Sequence, residues 1–415
     1  MKSISRRALM FVALVVFCSS VFGQADTSQT RPRTVSQLTQ QTADQGTPQT
    51  STPIAAVKES ETAELTSRSS LPLTPPLIQS RITEAERLLK SKPMTTALTT
   101  TPNIEFVTVA ALERSTQRTH LVTLSKETFL KKGSEVTLPS SLGTLLTVRV
   151  LRANGVNTAL TISTPEGKEL LPLTVEYPIE HNGLFKEMAY YTSAHPALLS
   201  EDLVNSGQAY VHNMLDLAVR RLGERGVAIS PDILNVAERL CIVEHIDHER
   251  FRAENRLALY EEIYSLYALN QLDTYRYSVS SAGAGGMVQM IPWAYNLIRQ
   301  RHPGVGLIPD FVTGMRNHAN ALQAMLLYMQ DTWNDLTVNE DIKYALNAKI
   351  ASTPELLAAA YNSNAAKLPG YIKRGNDDWR LLIPRETQMY LQIYKSFEAL
   401  VPMKPRGSVS TVAEN

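Results

Sequence analysis

Ser280-Ser281-Ala282-Gly283-Ala284-Gly285-Gly286-Met287-Val288-Gln289-Met290-Ile291-Pro292 is the stretch from which the fold of this chain is best read. Its glycines interrupt any regular period and mark a turn, and a Gly-rich run alone says no more than that. Its surroundings add to it. On both sides the apolar spacing is helical: Ser206 to Arg221, Pro231 to Phe251 and Glu254 to Asn270 before it, then Trp293 to Arg301, Asn317 to Asp331 and Pro354 to Asn362 after it. Ser230, Pro231 and Asp232 form a helix start, with a capping hydroxyl, a proline at the first helical position and an acid at the positive end of the dipole. The loop therefore belongs to a mainly α-helical domain, assigned to residues 198–402, with no internal repeat.

Two further segments stand downstream in order: Ala359-Ala360-Tyr361-Asn362-Ser363-Asn364, and Glu386-Thr387 with Tyr390. Together with the Ser280 stretch they resemble the soluble lytic transglycosylase and goose-type lysozyme superfamily, whose members carry a Ser-x-x-Gly-Ala element, an Ala-Tyr-Asn-Ala-Gly element and a closing Glu-Thr-x-x-Tyr. Elements in matching order are far more specific than any one of them. The resemblance covers about residues 231–400. It implies a lysozyme-like helical domain that cleaves the β-1,4 bond between MurNAc and GlcNAc of peptidoglycan with one catalytic glutamate, without a cofactor or a metal.

Such chemistry needs a carboxylic acid that stays protonated near neutral pH, and burial beside apolar groups supplies one. On the run Pro231 to Phe251, Ile233, Ala237, Leu240, Cys241 and Glu244 share one stripe, while Glu249 follows the thinner Ile242–Ile246 line. Glu244 is the favoured acid and Glu249 the alternative. The resemblance points to the same helix but with altered spacing: typical members place the glutamate about nine residues before the serine, a position held here by Gln271. Either residues from about 250 to 279 are an insertion and Glu244 is the acid, or Gln271, which cannot donate a catalytic proton, has replaced it and the domain binds glycan without cleaving it.

The resemblance assigns the remaining roles. It implies that Ser280 hydrogen-bonds the acid and that Gly283, Ala284 and Gly286 let the backbone approach the sugar. Met287 and Gln289 then line the cleft, Tyr361 contacts the acid and Asn362 lies beside it. Ser363 and Asn364 depart from the family's Ala and Gly. No second carboxylate is clearly paired with Glu244; Asp247 is the nearest in sequence. One glutamate acting as acid and then base implies attack by the muramyl C6 hydroxyl on C1 and a 1,6-anhydro product, with a lysozyme-type hydrolase as the alternative. His245, Asp247, His248 and Glu249 do not have the His-Glu-x-x-His spacing of a zinc site and read as a polar face near the cleft mouth. Cys241 reads as a small buried hydrophobe.

Ahead of the helical domain, residues 101–197 change to short runs rich in Val, Thr and Leu with alternation, such as Leu146, Val148 and Val150 on one face against Thr147 and Arg149 on the other. Asn154-Gly155 and Pro165-Glu166-Gly167 are hairpin signals. The expected fold class is thus α+β in two modules: a small N-terminal all-β domain, then the helical one. Residues 24 to about 80 are rich in Thr, Ser, Gln and Pro, and a disordered tether is expected over 24–100; residues 403–415 read as a flexible tail. Met1 to Gly23 has the charged start, apolar run and small-residue end of a signal peptide. The mature protein is therefore expected in the periplasm or cell envelope, and the bulky Phe17 before Cys18 argues against a lipid anchor. With Lys+Arg 41 against Asp+Glu 40, the overall charge gives no signature of a nucleic-acid partner; the expected partner is the glycan strand of peptidoglycan.

Overall fold

The computed structural model describes residues 73–91, 103–404 and 406. The proposed signal peptide and most of the proposed tether and tail lie outside the described residues; within the tail Arg406 is held rather than free, its side chain buried and paired with Glu238 at 2.7 Å.

The first element is a correction to the expected tether. Helix α1 (Pro75–Lys90) begins at a Pro-Pro pair and buries Ile78, Ile82, Ala85 and Leu89, one stripe at helical spacing. This stripe meets Ala110, Leu112, Leu171 and Leu173 of the sheet and Leu198, Leu203, Ala268 and Leu269 of the helices in one apolar cluster. Composition alone hid it, because the four apolar residues sit inside a polar stretch.

Seven antiparallel strands follow: β1 (Phe106–Glu113), β2 (Arg118–Ser125), β3 (Glu135–Pro139), β4 (Leu145–Arg152), β5 (Ala159–Ser163), β6 (Glu169–His181) and β7 (Leu184–Tyr191), in the order β2-β1-β6-β5-β4-β3 with β7 also on β6. The alternation is as read: Leu146, Val148 and Val150 are buried while Arg149 is exposed. The β5–β6 hairpin closes with Gly167 at φ +81° and its N–H on the Thr164 carbonyl at 2.9 Å. The long β6 bonds β1, β5 and β7 along different parts of its length.

The helical part comprises α3 (Glu201–Gly223), α4 (Pro231–Val243), α5 (His248–Ala253), α6 (Arg256–Asn270), α7 (Pro292–Arg301), α8 (Phe311–Arg316), α9 (His318–Thr337), α10 (Glu340–Asn347), α11 (Thr353–Asn362), α12 (Leu368–Gly375), α13 (Trp379–Leu382) and α14 (Arg385–Leu400), after a single-turn α2 (Lys126–Phe129) between β2 and β3. An α+β order, sheet first and helices second, is thus present. Sheet and helices nevertheless share one continuous core, from Val107 and Leu146 to Leu357 and Phe397. Polar joints reinforce it: Arg152 at the end of β4 pairs with Glu262 of α6 at 2.8 Å, and the Asn270 amide exchanges two hydrogen bonds with the Thr192 backbone, at 2.9 and 2.8 Å.

The helix α6 is a core element, with Tyr260, Ile263, Tyr264, Leu266 and Tyr267 all buried. It packs so closely on α3 that a Cβ at Gly207 would collide with the Tyr264 carbonyl. The run Pro231 to Phe251 is not one helix, in contrast to the spacing argument. It ends at Val243, and Asp247 starts a new helix by accepting the Arg250 N–H at 2.8 Å. The break puts Glu244 at the C-terminal cap of α4.

Candidate functional site

The break after α4 decides the surroundings of Glu244. Its side chain is partly buried, and the Tyr390 hydroxyl of α14 donates to its Oε1 across 2.5 Å. Burial pushes the carboxyl up to about 8, the Tyr390 hydrogen bond opposes that, and the negative charge of Glu386 adds to it. Glu386 and Tyr390 are one turn apart on α14 and so share a face toward Glu244. Glu386 is thus the second carboxylate whose charge reaches the acid. Asp247, the residue considered for that place, caps α5 instead.

The alternative acid, Glu249, lies in different surroundings: it is exposed and ion-paired with Arg252 on α5. Gln271 is also exposed, in the turn that ends α6 at φ +39°.

His245 follows the acid and ties it to the Gly-rich loop. Its ring stacks on Tyr275 at 3.5 Å between centroids, and its Nε2 bonds the Met287 carbonyl at 2.9 Å. Burial depresses its pKa to about 4, so the ring is neutral and donates that bond. Among the described residues, no group of three His, Cys, Asp or Glu side chains gathers as metal ligands would.

The loop itself is a compact knot. Ser280 N–H donates to the Ala284 carbonyl at 2.8 Å and Ser280 Oγ accepts the Ala284 N–H at 3.0 Å. Among the described residues Ser280 has no hydrogen bond to Glu244, so the expected contact with the acid is replaced by a turn-closing one. Gly283 takes φ +78° and lies against the Pro292 ring. Gly286 is at φ +68°, where a Cβ would come within 2.5 Å of the Met315 carbonyl; here glycine is required by both backbone and space. Ala284 and Met287 are buried, and Met287 points into the core rather than lining a cleft. Gln289, at φ +45°, turns its amide nitrogen back onto Ser278 Oγ (3.2 Å) and the Gly286 carbonyl (2.8 Å). That amide nitrogen stabilises the loop, a role the sequence did not suggest.

Tyr361 was expected to touch the acid. Its hydroxyl instead donates to the Val288 carbonyl at 2.6 Å, while its ring lies close enough for the Glu244 charge to raise its pKa further beyond the effect of burial. Asn362 is partly buried, and its Oδ1 has no hydrogen-bond partner among the described residues. The structure thus brings together Glu244, Tyr361, Tyr390 and Glu386, with the loop backbone at Met287 and Val288 joined to them through His245 and Tyr361. In the sequence Glu386 and Tyr390 belong to the closing Glu-Thr-x-x-Tyr element, and their spacing of one helical turn is the signal that could have placed them together. Cys241 is fully buried below the site, and burial pushes its thiol well up. No family model, curated protein or solved structure matches the chain.

Proposed function

We propose that this protein cleaves the glycan strands of peptidoglycan as a lytic transglycosylase, within a lysozyme-like helical domain exported to the cell envelope. The observation that carries the proposal is a glutamate held near a pKa of 8 at the end of an apolar helix, with a tyrosine hydroxyl fixed on one of its oxygens. A carboxyl in that state is protonated at neutral pH and can act as a general acid. Because Tyr390 donates to Oε1, the acid proton belongs on Oε2.

That geometry supports the following steps, whose course the family resemblance implies. Oε2–H protonates the glycosidic oxygen as the C1–O bond breaks, and the Glu244 anion left behind is stabilised by the Tyr390 O–H. That anion then takes the proton of the muramyl C6 hydroxyl as its oxygen bonds C1, which closes the 1,6-anhydro ring and restores the acid. Intramolecular attack gains from proximity, with effective molarities of ~10⁵ M or more. Glu386, whose charge reaches Glu244, supports a second reading, in which a nearby carboxylate orients water in place of the C6 hydroxyl. The masses of soluble products from purified sacculi separate the two: the anhydro product is one water lighter. A chain that releases no soluble product from sacculi contradicts both.

A further inference from the structure

The Gly-rich loop leads directly into α7, and the first turn of that helix carries a tryptophan that the core does not use. Trp293 is 59% exposed, whereas Trp379 is completely buried. Counting at 100° per residue, Asn296 and Gln300 fall within about 60° of Trp293, and both are exposed. Among the described residues neither amide has a hydrogen-bond partner. The opposite face of α7 is the buried one, with Ala294, Tyr295 and Ile298 in the core. The nearby charge of Arg301 is engaged by Asp331 at 3.3 Å.

A flat indole with two carboxamides following it along one helix face is a surface of particular chemistry. The face of a pyranose ring that presents C–H groups is apolar and lies against an aromatic ring, while its hydroxyls and acetamido groups need both donors and acceptors, which Asn and Gln supply together. Location agrees, because the Pro292 ring packs on Gly283, so Trp293 stands at the rim of the loop whose far end reaches Tyr361 and His245. Val279, 67% exposed, immediately precedes the loop and bridges to Gly285 within it.

We infer that the exposed face of α7, with Trp293, Asn296 and Gln300, is a second contact for the glycan strand, holding N-acetylhexosamine units that extend beyond the Glu244 site. The inference rests on the proposed glycan activity. Such a contact is filled only by a strand long enough to reach it, so it acts on polymer and not on short fragments.

The test uses the full chain carrying Glu244→Gln, so that bound sacculi are not digested, and measures its co-sedimentation with purified sacculi. Trp293→Ala in that background is expected to weaken binding about five- to tenfold, and Asn296→Ala with Gln300→Ala to weaken it less. Tyr344→Ala, which removes an exposed aromatic on α10, is expected to leave it unchanged. With Glu244 intact, Trp293→Ala should slow release from sacculi while cleaving short soluble glycan fragments at the parent rate. Undiminished binding and release by Trp293→Ala overturn the inference and leave the activity standing. Equal losses on sacculi and on short fragments overturn it as well. A parent chain that neither binds nor digests sacculi removes the glycan reading and the α7 contact together.

Discussion

The Tyr390 hydroxyl and the Glu244 carboxyl, 146 residues apart in sequence, meet at 2.5 Å. The contact joins the last helix of the fold to the break after α4, and it does two opposing things to the acid. It favours the carboxylate, because the hydroxyl donates to it, while burial and Glu386 favour the neutral carboxyl.

Removing these partners one at a time should therefore move the acid in opposite directions. Tyr390→Phe deletes the stabilising donor and should shift the alkaline limb of kcat/KM to higher pH, with activity lower by about 10²-fold as the anion loses support. Glu386→Gln deletes a like charge and should shift the limb to lower pH. Parallel pH–rate profiles of the two variants check both signs, and shifts in the same direction contradict the arrangement.

The raised pKa also predicts a stability signature. Between the ordinary carboxylate value of 4.5 and about 8 the folded chain holds a proton on Glu244 that the unfolded chain releases, so stability falls as pH rises through that window. Glu244→Gln removes this dependence. The Tm of the variant relative to the parent should climb steadily from pH 5 to pH 8, measured by calorimetry, whereas a flat difference means the carboxyl titrates normally.

Gly286→Ala sets a methyl group against the Met315 carbonyl at a backbone φ of +68°. It should cost about 1–3 kcal/mol or more and lower Tm accordingly. Gly304→Ala meets nothing within 4 Å and serves as the comparison, with little change expected. Equal melting of the two variants contradicts the close contact.

Helix α1 is expected to be part of the folded unit. Leu89→Ala empties a fully buried position and should cost about 2–4 kcal/mol, read by urea denaturation. A chain starting at Asn103 should be less stable than one starting at Leu73, because it uncovers Ala110, Leu112, Leu171 and Leu173. Identical denaturation midpoints count against the docking of α1.

Sequence patterns reported what each residue does locally and missed what distant residues do to it. The sheet was legible because Leu146, Val148 and Val150 alternate with polar neighbours, and the Pro165-Glu166-Gly167 turn carries its own signal. Glu244 was legible from the apolar stripe leading to it. The break between Val243 and His248 was less so, since the 3.6 period continues through it and only the Asp247 cap marks the restart. The period in α1 was present in Ile78, Ile82, Ala85 and Leu89 but masked by the polar composition around it. The roles of Ser280, Met287, Gln289 and Tyr361 came from likeness to a motif, and packing reassigned their side chains to holding the loop. The partnership of Tyr390 with Glu244 depends on tertiary packing alone.

The central claim is that Glu244 supplies the proton that breaks the glycan. The most direct measurement is the release of soluble muropeptides from purified sacculi by the parent chain and by Glu244→Gln at equal folded concentration, with Glu249→Gln alongside. The account predicts that Glu244→Gln loses activity by about 10³-fold or more, keeps its circular dichroism spectrum, and differs in this from Glu249→Gln, which stays near the parent rate. Full activity of Glu244→Gln would contradict the assignment of the acid.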